Sequence, residues 1–310
     1  MTGVLQVLLV VGGSPLLVGL IRQVRARLEG RAGPGVLQPW RDLRKLVRKE
    51  PLTPRGTSGV FRAAPVLLVA TTLVVTAVAP FVATTSALGP LADLFAVVAL
   101  LALGAVALAL GGIDTGTAFG GMGASRAVTI LALVEPTLLV AIFALSVPVG
   151  STNLTAVVSS TLRDPERVVS PASLLAAVAL LVVIVAETGR LPVDNPSTHL
   201  ELTMVHEAMV LEYAGPDLAL VELGSAMRLS VYLGLFANLF LPWGIADGPG
   251  VLATAVGVVA FAAKVALLGA ALAVAEVFLA KVRLFRVPEL LAGSFLLALL
   301  AVTASSVLGG

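Results

Sequence analysis

The 310-residue sequence has no cysteine, only two histidines, two tryptophans and two tyrosines, and 12% charged residues. Without a thiol the chain cannot hold an iron–sulfur cluster, attach a c-type haem or use a cysteine nucleophile. The histidines, His199 and His206, are seven positions apart. On a helix that is about 10.5 Å along the axis, too far to grip one metal ion. His206-Glu207 opens like a zinc-protease motif, but Val210 stands where its second histidine belongs. The pair therefore reads as solvated. No serine, cysteine or carboxylate constellation points to hydrolysis. A formal net charge of +2, with locally clustered bases, excludes a nucleic-acid-binding surface, and the composition excludes disorder.

What the chain has instead is apolar residues, 58% of the total, with a mean hydropathy of +1.04. A soluble chain of this size carries about a quarter charged residues, so lipid must replace most of the aqueous surface. Eight runs are long enough to cross a bilayer: 2–21, 65–86, 90–111, 127–149, 171–187, 219–242, 251–280 and 287–308. They do not alternate, so helices fit and barrel strands do not. The expected fold is an all-α polytopic membrane protein with about eight transmembrane helices. No repeat or linker divides it, so residues 1–310 form a single membrane domain.

Sixteen of the twenty Lys and Arg residues fall on one side of these spans, and only Arg163 and Arg167 on the other. The positive-inside rule makes the basic side cytoplasmic and puts both termini outside, with a retained first helix. The cytoplasmic loops are then about 22–64, 112–126, 188–218 and 281–286. The first contains an amphipathic segment after Pro39, with Trp40, Leu43 and Val47 on one face and Arg41, Arg44, Lys45 and Arg48 around them. It is expected to lie in the interface plane, touching anionic lipid, docking a soluble partner, or both. The glycine-rich second loop, 112–126, follows a helix and reads as a flexible turn. In the third, Thr198 and Glu201 have capping-box spacing, so a helix should start near Thr198 and carry Glu201 and Glu212 on one face.

Glu135, Glu222, Arg228, Lys264 and Glu276 lie inside predicted spans. Facing lipid at mid-depth, each would cost at least about 2.5 kcal/mol, so they should face the interior and pair or hydrate. Pro136, after Glu135, frees a backbone carbonyl. Taken singly, these groups fit structural glue or function equally well. A set from Glu187 and Glu212 through Glu222 and Arg228 to Lys264 looks like a hydrated ion route.

At these residues a resemblance emerges. Glu187-Thr188-Gly189-Arg190-Leu191-Pro192-Val193-Asp194 resembles the E-T-x-R-x-P-x-D loop of the subunit 1/H family of NADH–quinone oxidoreductase (complex I). Glu201-Leu202, Glu212-Tyr213-Ala214-Gly215, Leu37-Gln38-Pro39, Glu135-Pro136 and the basic end Lys281 to Pro288 also resemble elements of that family. Within it, the stretch from Asn195 to Tyr213 and the wording Arg283-Leu284-Phe285-Arg286-Val287-Pro288-Glu289-Leu290 are most similar to the membrane subunit of formate hydrogenlyase and related energy-converting nickel–iron hydrogenases.

The resemblance implies a subunit of an oxidoreductase complex, in the cytoplasmic (inner) membrane, with no catalytic centre of its own. Its partners would be hydrogenase-like large and small subunits, an iron–sulfur subunit and antiporter-like membrane subunits. Iron–sulfur clusters and nickel–iron would belong to those partners. Glu187, Arg190, Asp194, Glu201 and Glu212 would lie below the terminal cluster. Glu135, Glu222, Arg228, Lys264 and Glu276 would carry the coupling to proton or sodium movement. Trp40, Arg41, Arg44, Lys45, Arg283 and Arg286 are the expected docking residues. The alternatives are a quinone-chamber subunit of NADH–quinone oxidoreductase, against which the altered third loop argues, and an independent secondary transporter.

Overall fold

A computed structural model describes residues 2–194, 204–248, 250–280, 282 and 286–308. Eleven α-helices occur among the described residues. The long ones are α1 (Thr2–Leu28), α3 (Gly59–Val78), α4 (Leu94–Asp114), α5 (Ala118–Ser146), α7 (Pro171–Glu187), α9 (Gly215–Phe240), α10 (Val251–Phe278) and α11 (Val287–Leu308). Shorter helices fill the connections: α2 (Gln38–Val47), α6 (Leu154–Arg163) and α8 (His206–Val210). Seven of the long helices are long and apolar enough to cross a membrane. The eighth expected span, α7, has 17 residues, about 26 Å of helix.

Several boundaries differ from the apolar runs because polar caps decide where a helix starts. The second run, expected over 65–86, becomes a helix that begins at Gly59 and stops at Val78. Ser58 accepts a hydrogen bond from Val60 N, and the Asp114 carboxylate from α4 accepts from Ser58 N at 2.7 Å and Phe61 N at 3.2 Å. At the other end, Pro80 excludes helical backbone before it, and Ala79 is extended at φ −64°, ψ 145°.

The glycine-rich segment is a clear departure from the expectation of a flexible turn. All but residues 115–117 is helical, the turn being closed by Thr117, which caps α5 by accepting from Gly120 N. The glycines let α4, α5 and α8 approach closely. A methyl group on Gly123 would lie 2.8 Å from Ala208 Cβ, and one on Gly111 would collide with the Tyr213 hydroxyl.

The centre of the bundle is α9, buried almost continuously from Ala226 to Phe240. It touches α1, α3, α7 and α10, as expected for a helix without a free face. By contrast α10 and α11 leave Val251, Leu252, Val259, Leu267, Leu296 and Val307 on the outside, where lipid or a neighbouring subunit would cover them.

Candidate functional site

On the side of the long loops a cavity of about 630 Å³ opens between α1, α2, the segment after α7, α8, α9 and α10. Among the described residues ten ionisable side chains line it, including Arg22, Arg25, Asp42, Arg190, Asp194, His206, Glu207, Glu222 and Glu276. Helical spacing explains the contribution of α9: Glu222, Ser225, Ala226 and Leu229 form one stripe facing the chamber. Glu222 is exposed there, to the chamber rather than to lipid.

Glu276 closes the chamber from α10. Its buried carboxylate pairs with Arg190 at 3.2 Å and with Arg25 at 3.9 Å, joining three distant parts of the chain. The carbonyl of Pro192 accepts from Val282 N at 2.9 Å, a second tie between the third loop and the end of α10.

Deeper in the bundle lies a second cavity of about 110 Å³, lined by Glu187, Thr188, Gly189, Asp194, His206, Ser225, Arg228 and apolar residues of α4 and α5. Here Glu187 and Arg228 form an ion pair at 2.6 Å, both side chains less than a tenth exposed. Arg228 also donates to the carbonyl of Leu101 at 2.6 Å and to the Tyr232 hydroxyl at 3.4 Å. Gly104 makes room for it: a Cβ there would stand 3.0 Å from Arg228 Nη1. Glu135, half-buried on α5, interacts electrostatically with Glu187 and Arg228.

Sequence-predicted residues outside this cluster have other settings. Lys264 donates to Asn238 Oδ1 at 3.2 Å, and Asn238 in turn donates to the carbonyls of Pro80 and Phe81 at 2.8 Å each. It lies about 18 Å of helix from Glu276 on α10, and lines neither cavity. Glu212 follows α8 and also lines neither. The continuous helix expected from Thr198 to Glu212 is not formed. Met204 and Val205 are non-helical, and the Met204 carbonyl accepts from Arg126 Nη1 at 2.9 Å. Thr198, His199, Glu201 and Arg283 lie outside the described residues.

Tyr213 has a job that spacing alone did not reveal. Pro65 lacks an N–H, which orphans the carbonyl of Phe61 one turn earlier. The Tyr213 hydroxyl donates to that carbonyl at 3.0 Å, and the two rings stack at 4.1 Å. Burial pushes the phenol above its ordinary pKa range, keeping it a donor.

His206, of the two histidines the one among the described residues, is half-buried. It lines both cavities, its backbone N–H points to Asp194 at 3.4 Å, and its Nε2 lies 3.5 Å from the Ser225 hydroxyl. Burial lowers the imidazole's pKa, opposed by Glu222 and Asp194 and aided by Arg228.

In α2, Pro39 and Leu43 are buried against the bundle, whereas Val47 is exposed. Trp40 is a little over one-third exposed and donates to the Gly12 carbonyl at 3.2 Å. Arg41, Arg44, Lys45 and, at the start of α11, Arg286 are exposed.

Residues 2–306 match the family model described as NADH dehydrogenase. The chain belongs to that family, the subunit 1/H proteins of complex I. It is 37% identical over 235 residues to hydrogenase-4 component C of Escherichia coli, covering 76% of this chain and 73% of that protein. It is 34% identical over 240 residues to formate hydrogenlyase subunit 4 of the same organism, covering 77% of each. With the second H-type subunit of the NADH-quinone oxidoreductase of Syntrophobacter fumaroxidans it shares 34% identity over 257 residues, 78% of this chain and 75% of that one. The fold matches a chain of the membrane-bound sulfane sulfur reductase, an archaeal respiratory membrane complex, with TM-score 0.81, 21% identity and 98% coverage of both.

Proposed function

We propose that this chain is the non-redox membrane subunit of a formate hydrogenlyase or energy-converting hydrogenase-type complex in the cytoplasmic membrane. It docks the soluble electron-transfer arm and couples the arm's redox chemistry to proton or sodium translocation. The observation that carries this reading is the charged chamber leading inward to the buried Glu187–Arg228 pair. An ion pair held in a low-dielectric bundle responds strongly to a charge change at its open end. The third loop supplies Arg190 and Asp194 to the chamber and follows directly on Glu187 at the end of α7, so movement of that loop bears on both. Glu135, Glu222 and Glu276 would carry the bias onward. The basic residues Arg41, Arg44, Lys45 and Arg286 suit an acidic partner surface or lipid headgroups, with the long-loop side facing the cytoplasm.

Partners would be hydrogenase-like large and small subunits, an iron–sulfur subunit and antiporter-like membrane subunits. With no cysteine in the chain, iron–sulfur clusters belong to them. The altered wording of the third loop, from Asn195 to Tyr213, argues against a quinone site. The NADH–quinone oxidoreductase relatives keep that second reading in view.

The test is purification of the tagged protein from its own membranes in mild detergent. Co-purification of a nickel-containing large subunit with hydrogen- or formate-dependent activity is expected. NADH–quinone activity in the purified complex would favour the second reading, and a solitary transporting chain would end both.

A further inference from the structure

The two cavities are not independent. Among the described residues Thr188, Gly189, Asp194, His206 and Ser225 line both, and they stand between the chamber and the Glu187–Arg228 pair. Of the five, only His206 both accepts and donates a proton near neutral pH. Its Nε2 faces the Ser225 hydroxyl at 3.5 Å, and the α9 residues on either side of Ser225 by one turn are Glu222 and Arg228. The imidazole thus stands between a carboxylate exposed to the chamber and a carboxylate buried with an arginine.

We infer that the ion passing from the chamber to Glu187 is a proton, relayed by His206 and Ser225. Resting on the function proposed above, this names the ion and its gate.

The physical argument is one of ligand demand. A metal cation crossing between the two cavities needs several oxygen ligands at once, next to the buried Arg228 guanidinium in a cavity of about 110 Å³. A proton needs only one lone pair at a time. The neutral imidazole accepts a proton at Nδ1 from the chamber and releases the one on Nε2 to Ser225 Oγ. The Ser225 hydrogen passes across the inner cavity to Glu187. The sum is one proton moved inward, Glu187 neutral and Arg228 released from its counter-ion. A ring flip restores the starting tautomer.

Burial supports the neutral resting form. The charged groups around the ring are Asp194 and Arg190 from the third loop, Glu187 at the end of α7, Glu222 and Arg228 on α9, Glu207 on α8 and Arg126 on α5. The Glu222 and Asp194 carboxylates oppose the effect of burial on the ring, and the Arg228 guanidinium adds to it.

The experiment uses the assembled complex in sealed vesicles, with proton uptake read by a pH-sensitive dye and sodium uptake by isotope, both per redox turnover. For His206→Ala the proton yield per turnover is expected to fall at least tenfold. Millimolar imidazole, admitted through the open chamber, is expected to restore it, which repair of a merely structural defect would not do. His206→Gln, closer in shape, should show the same loss, with thermal unfolding confirming that it is folded. Removing sodium should change nothing.

An undiminished proton yield in both variants, a loss that imidazole fails to restore, or uptake that follows sodium each overturns the relay. Glu187→Gln separates this failure from that of the parent reading. If Glu187→Gln uncouples while His206→Ala does not, only the relay is wrong. If neither uncouples, the coupling role itself is wrong.

Discussion

The two cations embedded in this bundle, Arg228 and Lys264, sit in opposite kinds of environment. Arg228 is buried, paired with a carboxylate at 2.6 Å, and borders a cavity that shares residues with the open chamber. Lys264 is half-buried, bonded to a neutral amide at 3.2 Å, and borders neither cavity. In the relay inferred above, the first arrangement takes up a proton on Glu187. The second fastens α10 to α9 and, through Asn238, to the turn at Pro80 and Phe81. A charge placed at membrane depth has therefore been accommodated in two ways, by an opposite charge at Arg228 and by a neutral amide at Lys264.

The comparison breaks or holds first at Glu187. Replacing it with alanine strands a buried guanidinium, and removing one partner of such a pair costs about 3–5 kcal/mol. Glu187→Ala is expected to unfold earliest in detergent thermal melts and to abolish ion movement in vesicles. A variant as stable as wild type would mean that Arg228 has another counter-ion. Next comes space. Gly104→Leu pushes a side chain toward Arg228 and Thr71, and overpacking of this kind costs about 1–3 kcal/mol. Thermal melts should place it between Glu187→Ala and wild type, with ion movement impaired.

Lys264→Met removes a hydrogen bond from a charged donor, worth about 1.5–3 kcal/mol before the regained apolar contact offsets part of it. Stability should drop slightly and ions per turnover should stay at the wild-type level. Loss of ion movement here would erase the distinction between the two cations. Tyr213→Phe is the smallest change. It keeps the stack on Phe61 but leaves its carbonyl unpaired, for about 1 kcal/mol in the same melts.

A pH series sharpens the chamber side. The pKa of His206 is held below the ordinary histidine range by burial. On acidification the unfolded chain therefore takes up a proton before the folded one does, and stability falls as pH drops through the ordinary range toward the folded value. Between about pH 7.5 and 5, wild-type melting temperatures should decline more steeply than those of His206→Gln. Parallel slopes would remove His206 as the source.

Much of the architecture was readable from residue order. Every expected apolar run has a helix at its core, because a backbone surrounded by lipid and apolar side chains has to satisfy its hydrogen bonds within the segment. The amphipathic segment after Pro39 is a helix, though tertiary contact buries Pro39 and Leu43 and leaves Val47 outside. Helix ends were poorly legible where a distant group caps them, as Asp114 does for α3. The glycines of 112–126 give no turn over most of that segment because glycine also marks close helix packing, and only the neighbours distinguish the two.

Composition and hydrophobic runs by themselves determined that this chain lives in a bilayer as helices, lacks any thiol-borne redox centre, and must shelter Glu135, Glu222, Arg228, Lys264 and Glu276 from lipid. Tertiary structure alone decided which of those groups meet. Glu187 with Arg228 are 41 residues apart, Arg190 with Glu276 are 86 apart, and no local pattern selects such partners. It also moved His206 from an unremarkable loop position to the wall between two cavities. The reason is physical: hydropathy acts residue by residue, whereas pairing of charges depends on distances that exist only once the helices have packed.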